Sequence, residues 1–482
     1  MNSSTSDIGL APVREAMAAF EISPSVAPNE EIDIDRVFFP DGHRSVLDLK
    51  RQLVVGNRGM GKSFWTHALT KPAIREQLAR TYGFPRLADT NVIIGFNGST
   101  RIAGVTPTIE EVQAARKAGD DPELIWRAVI LRAARSIDGA NATSSFSDVL
   151  EQLKIRPGDY ARELTAVDDS MASRGSSILV VFDALDRFSH EWGVINELTK
   201  GLLLTVLGLQ SFRNIRAKVF MRVDQFSDAE LFRFPDSSKI RNDRVDLAWN
   251  PRELYGLVFF ELMRQQAAAS VLKELAVHLN ARSALPTGGR LNAASPEQEA
   301  LVTAIAGEYM GKDWKRGRVY TWVPLHLGDA ANNCSPRTFL TAWKTAAEHQ
   351  PSPQRQAVDH LGLKEGVRRA SGARLTELRE DYPWIDLVLK PLRRHFVPIP
   401  KDELFELWQG EHVMEHVRGQ ASSQWLAPIG VIIENSPDAL LRTMTSIAVM
   451  EMRANGKINV PDIFRVEAEI LRKGGVAVPR KN

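Results

Sequence analysis

The stretch Gly56-Asn57-Arg58-Gly59-Met60-Gly61-Lys62-Ser63, followed by Phe64, constrains this chain more than any other part of it. It comes directly after the β-branched run Gln52 to Val55 and just before a helical pattern that starts near Ser63. Glycines at these positions let a loop turn left-handed and bring its backbone N–H groups close to an anion, and the following helix adds the positive end of its dipole. The G-x-x-x-x-G-K-S spacing in a strand-loop-helix context is a phosphate-binding loop. Gly56 to Phe64 are therefore expected to line a nucleotide site, with Lys62 on the β and γ oxygens of ATP and the Ser63 hydroxyl on Mg²⁺.

Such a loop needs a parallel sheet behind it, and the flanking sequence supplies one. Short apolar runs at Gln52 to Val55, Asn91 to Phe96, Ser177 to Phe182, Lys218 to Arg222 and Arg244 to Ala248 alternate with helical patterns, the signature of βαβ units. The fold class expected is α/β: a parallel-sheet P-loop NTPase core with a helical insertion, then a helical lid and a C-terminal helical or winged-helix module. The boundaries read from composition are a loosely attached leader over 1–35, a core over 36–265 with the insertion at about 100–175, a lid over 266–350, a linker QPSPQRQ at 350–356, and a final module over 357–482. The insertion reads as a module in its own right.

A second acidic element, Ser177-Ile-Leu-Val-Val-Phe-Asp183-Ala-Leu-Asp186-Arg187, is an apolar strand that ends in one carboxylate and is followed by another. Asp183 is placed to hold the magnesium, and Asp186 to orient or deprotonate the attacking water. The small residue after Asp183 and the acid three positions on resemble the STAND and KAP branches of AAA+-related P-loop ATPases. That resemblance implies a polar or arginine sensor at the end of the next strand, where Ala217-Lys-Val-Phe-Met-Arg222-Val-Asp224 offers Arg222 as a reader of the γ-phosphate. It also implies a second sensor after the lid, matched by Arg337 in Ser335-Pro336-Arg337-Thr-Phe-Leu. Arg187 and Arg58 are weaker candidates for a charge-neutralising finger. Two features depart from the pattern: Lys62 and Asp183 lie unusually far apart, and no glutamate directly follows Asp183, which points to slow or regulated hydrolysis.

Composition removes several classes. The chain of 482 residues carries 61 Lys and Arg against 59 Asp and Glu, so no whole-molecule field argues for nucleic acid or an anionic membrane. A single cysteine, Cys334, can form no internal disulfide, and no apolar run reaches membrane-spanning length, which makes cytoplasm the expectation. His412-Val-Met-Glu415-His416 has a zinc-site spacing without a third ligand and reads as packing. The tryptophans fall mostly at helical spacings and read as core, not as base-stacking platforms. Gly456 to Arg465, with Arg472-Lys-Gly-Gly475 and Arg480-Lys481 as basic flanks, reads equally as a wing and recognition helix or as a packed module.

Together these residues point to Mg²⁺-dependent ATP binding and hydrolysis that drives a conformational switch. The STAND and KAP resemblance implies a signalling or antiviral-defence assembly with a protein partner or effector and possible homo-oligomers formed on ATP binding. The rival expectation is a DNA-engaging AAA+-type loader or initiator whose C-terminal module contacts the duplex.

Overall fold

A computed structural model describes residues 8–22, 33, 36–98, 100, 104–138, 144–189, 191–291, 295–421, 431 and 434–474. Within these, residues 43–247 form one compact unit, and residues 8–22, 36–42 and 248–474 form another.

The first unit is a five-stranded parallel sheet of β1 (Leu53–Val55), β2 (Thr90–Phe96), β3 (Ser177–Phe182), β4 (Ile215–Met221) and β5 (Val245–Asp246). Its order is β2-β3-β4-β1-β5, with Val54 of β1 opposite Phe220 of β4 and Val245 of β5, and Val180 of β3 opposite Ala217 of β4. All five runs read as strands from the sequence are strands, with ends shifted by up to three residues. β1 and β3 are apolar and buried throughout because helices cover both faces, as a parallel sheet requires. β1 lies between β4 and β5, so the crossover from β1 to β2 runs to one side of it and the crossover from β4 to β5 ends on the other. The carboxyl end of a strand at such a switch point is where open α/β sheets bind ligands.

The helices between β2 and β3 are an insertion in sequence but not a separate module. Helix Pro122–Asp138 lies on helix Trp192–Gly208, where Gly201 leaves no room for a Cβ, which would come within 2.5 Å of Pro122. Trp126, fully buried, stands edge-on to Phe96 and Phe182, packs on Phe188, and donates its indole N–H to Leu198 O at 2.8 Å. The insertion therefore supplies part of the sheet's own cover.

The second unit differs from the expected boundaries. Part of the stretch read as a loose leader is helix Ala11–Ala18, which buries Val13, Ala16 and Met17 and packs against helices Gln266–His278 and Pro336–Glu348. Its Arg14 donates to His349 O at 2.5 Å and Ala357 O at 3.3 Å. Most of the rest of 1–35 lies outside the described residues. Nor does the chain divide at 265 or 350. Helix Pro251–Met263 belongs to the second unit, and QPSPQRQ joins two helices, Pro336–Glu348 and His360–Asp381, that pack on each other. They approach so closely that a Cβ on Gly366 would lie 2.2 Å from Ala342 O, and one on Gly362 2.7 Å from Ala346 O. Two glycines one helical turn apart make that crossing possible.

The C-terminal part combines helices with short paired strands. Helices Lys401–Gly410 and Val413–Ala421 precede helix Pro437–Ser446, which leads into the antiparallel hairpin of β7 (Glu451–Met452) and β8 (Ile458–Asn459). Ile399 bridges to Ile458, just after β6 (Phe396–Val397), which pairs with β9 (Leu471–Arg472). The hairpin turn closes with Arg453 N–H on Lys457 O at 2.8 Å, and Gly456 adopts φ 75°. The hairpin spans 451–459, helix Pro437–Ser446 precedes it, and the short helix Asp462–Arg465 follows it. Gly475 and Arg480-Lys481 lie outside the described residues.

Candidate nucleotide site

The phosphate loop leaves β1 in register with its neighbours. Gly56 N–H donates to Met221 O at 3.1 Å, and Leu247 N–H donates to Val55 O at 2.7 Å, so the loop starts beside the end of β4. Gly59 and Gly61 have φ 81° and 103°, left-handed values that a Cβ would strain. A side chain at Gly56 would meet Leu247 Cβ at 2.9 Å. Gly61 caps helix Lys62–Thr70, whose first residues are Lys62 and the exposed Ser63; Met60 is buried under the loop, while Asn57, Arg58 and Phe64 are partly exposed.

Lys62 folds back over its own loop, donating to Gly56 O at 2.7 Å and Asn57 O at 3.0 Å. Burial of the ammonium lowers its pKa below the ordinary lysine value, Asp183 opposes that shift, and Arg222 adds to it. The carbonyls hold the ammonium in place with bonds that phosphate oxygens can replace.

At the end of β3, Asp183 is buried, with its N–H on Phe96 O at 2.9 Å and its Oδ1 accepting from Ala184 N–H at 2.8 Å. Ala184 is left-handed, φ 57°, and turns the chain so that Asp186 comes back toward the strand ends. A left-handed non-glycine residue is a strained feature of the kind that clusters at functional sites. Gly98 faces this bend: a Cβ there would lie 3.2 Å from Ala184 Cβ and 2.7 Å from Arg187 Cδ, which explains why a small residue follows Asp183.

Two tertiary links join these parts. Thr66, one turn after Lys62, places its hydroxyl 3.2 Å from Lys62 O and 3.3 Å from Asp183 Oδ2, which ties the loop helix to the metal-type aspartate. Arg222, just past β4, sends Nη1 to Asp186 Oδ2 at 3.2 Å, and grips Asp224 through Nε at 3.1 Å and Nη2 at 3.0 Å. The structure thus brings Lys62, Asp183, Asp186 and Arg222 together at the carboxyl ends of β1, β3 and β4. Sequence reading missed Thr66 and Asp224. The first sits at helical spacing i+4 from Lys62, and the second two residues past Arg222, so both carried a signal.

Arg337 belongs to the second unit. It begins helix Pro336–Glu348 and donates from Nη1 to Glu377 Oε1 at 2.6 Å, with Arg374 on the other oxygen at 3.0 Å. Burial raises the Glu377 pKa, but the two guanidiniums outweigh it and hold the carboxyl below its ordinary range.

The donor set suits MgATP: loop amides and a lysine for phosphates, a hydroxyl and a buried carboxylate for the metal, and an arginine for a terminal phosphate. No family model and no curated protein matches this chain. Solved structures similar to it include the Walker-type ATPase PABY2304 of Pyrococcus abyssi, at 12% identity over 93% of this chain and 98% of that one, with TM-score 0.36. The Aeropyrum pernix ORC2 protein, solved with ADPNP and ADP, is 13% identical over 87% and 85% of the two chains, with TM-score 0.35. Cdc6p from Pyrobaculum aerophilum is 12% identical over 94% and 96%, with TM-score 0.29.

Proposed function

We propose that this chain is an Mg²⁺-dependent ATPase that engages DNA through its winged helix. The observation that carries the ATPase reading is the Thr66 hydroxyl on Asp183, because it places the helix of the phosphate loop against the aspartate at the end of β3. When bound, Mg²⁺ would supply positive charge against the negative charge that develops during phosphoryl transfer. Ser63 and Asp183 would hold it. Lys62 would leave Gly56 O and Asn57 O for the phosphates, and Asp186 would orient the attacking water. Since Arg222 grips Asp186, the group that reads the terminal phosphate and the group that positions water are coupled: a phosphate that draws Arg222 away frees the carboxylate.

The DNA reading rests on the order of helix Pro437–Ser446 and hairpin 451–459. The helix exposes Thr445 and Arg442, which pairs with Glu434, and the hairpin turn exposes Lys457. A helix for the major groove and a basic wing for phosphates match how such domains dock. The second reading keeps the same ATP site but makes it a switch in a signalling or defence assembly, of the kind the STAND and KAP resemblance suggests, with a protein partner and no DNA.

ATP turnover and solution mass, measured with and without duplex DNA for wild type, Lys62→Ala and Asp186→Asn, test both. Lys62→Ala is expected to lose nucleotide binding, while Asp186→Asn keeps it and stalls turnover. Equal turnover in all three overturns the ATPase assignment. An Arg442→Ala/Lys457→Ala pair should weaken duplex binding and lower its salt slope by about 2. No retention of duplex by the wild type favours the second reading.

A further inference from the structure

We propose that the hairpin at 308–319 is a stacking site for an unpaired DNA base, with Trp314 as the platform. Among the described residues, Trp65, Trp126, Trp249, Trp343, Trp384 and Trp408 are buried, and Trp192 and Trp322 are half-buried. Trp314 is 71% exposed. Single exposed apolar residues need no explanation in general, but two features set this one apart.

The tip that carries it is rigid. Tyr309 and Arg318 form an antiparallel bridge, Met310 N–H donates to Gly317 O at 2.9 Å, and Val319 N–H donates to Glu308 O at 2.9 Å. Gly317 takes φ 86° to close the turn, and Asp313 accepts from Lys315 N–H at 3.0 Å. The indole is thus presented on a fixed scaffold, and little ordering entropy remains to be lost when a flat partner lies on it.

Its charges are also sorted by position. Arg318, at the base, is neutralised by Glu299 at 2.6 Å and Glu308 at 3.7 Å. Lys312, Lys315 and Arg316, on the same turn as Trp314, are all exposed, and no described carboxylate pairs with any of them. Asp313 is the only acid among them, and its side chain is committed to the backbone. Unpaired cations on the same turn as an exposed ring suit a single strand, whose phosphates they would meet while a base stacks.

This inference rests on the DNA reading above but uses residues outside the winged helix, so the two can fail separately. The measurement is fluorescence anisotropy of labelled oligo-dT and of a labelled duplex with the full chain, alongside co-sedimentation with anionic vesicles. Trp314→Ala should weaken oligo-dT binding by about tenfold or more and leave duplex and ATP binding unchanged. Trp314→Phe should restore most of the loss, because a smaller ring still stacks. A Lys312→Ala/Lys315→Ala/Arg316→Ala variant should lower the salt slope for the single strand by about 2.

Oligo-dT affinity unmoved by Trp314→Ala overturns the hairpin site, as does a tip whose variants lose vesicle binding instead. If the Arg442→Ala/Lys457→Ala pair leaves duplex binding intact while Trp314 still governs oligo-dT, only the wing assignment falls. If the wild type retains neither nucleic acid, both fall.

Discussion

Two arginines with the same expected role, Arg222 and Arg337, sit in contrasting surroundings. Arg222 stands at the strand ends of the nucleotide site, between Asp186 and Asp224, within reach of a loop whose lysine is held only by its own carbonyls. Arg337 opens a helix in the other unit and is held by Glu377, which Arg374 also grips. In the first case the ion pairs join groups from different strands and leave them a function to exchange. In the second they join one helix to the next and hold two elements in register. A guanidinium with paired carboxylates is thus no evidence of a sensor until its neighbours are known.

The largest effect that could break this contrast is at the loop. Lys62→Ala should weaken nucleotide binding by at least about 100-fold, read with a fluorescent ATP analogue, because its ammonium is the cation folded back onto the loop carbonyls. Binding that survives would remove the reason for treating Arg222 as different. Next, Arg222→Ala and Asp186→Asn should each lower ATP turnover by about 100-fold with binding kept within a few-fold, since both act on the reacting phosphate and water. A change in binding alone would make Arg222 a ground-state anchor.

Arg337→Ala should cost about 1–3 kcal/mol in urea unfolding, because Glu377 loses one of two charge-assisted bonds in a mostly buried place. A loss of ATP affinity at unchanged stability would instead put Arg337 in the nucleotide site.

The smallest test sharpens the picture of the first unit. Lys218 lies fully buried in β4, donates to Asp48 O at 3.0 Å and to Arg51 O, and burial pulls its pKa down to about 7. Its folded value is below its unfolded one, so the unfolded chain holds the extra proton between about pH 7 and pH 10. Stability should therefore rise through that window, by up to about 1.4 kcal/mol per pH unit, and level off above it. Lys218→Met should flatten the slope; an unchanged slope would assign it to other groups.

Much of the nucleotide site was legible from the chain alone. The glycines and lysine of the loop, the apolar strand ending at Asp183 and the five strand runs are local patterns, and each is dictated by steric rules or periodicity within a few residues. What the chain alone did not give was mostly long-range. That Thr66 reaches Asp183, that Arg222 holds Asp186 and Asp224, and that Trp126 makes the insertion part of the sheet's cover depend on which strands lie side by side. The order β2-β3-β4-β1-β5 decides this, and no local preference encodes it.

The second unit shows the same division. Its helices were visible as periodic patterns, but the proline-rich segment read as a linker because composition cannot report that Gly362 and Gly366 let two helices close on Ala342 and Ala346. Trp314 and Trp343 are each followed directly by Lys, yet packing buried Trp343 and left Trp314 on a hairpin tip. Sequence by itself determined the chemistry available at the phosphate loop. Tertiary structure decided which charges meet, since burial and strand order, not residue type, set whether an arginine or a tryptophan faces a neighbour or solvent.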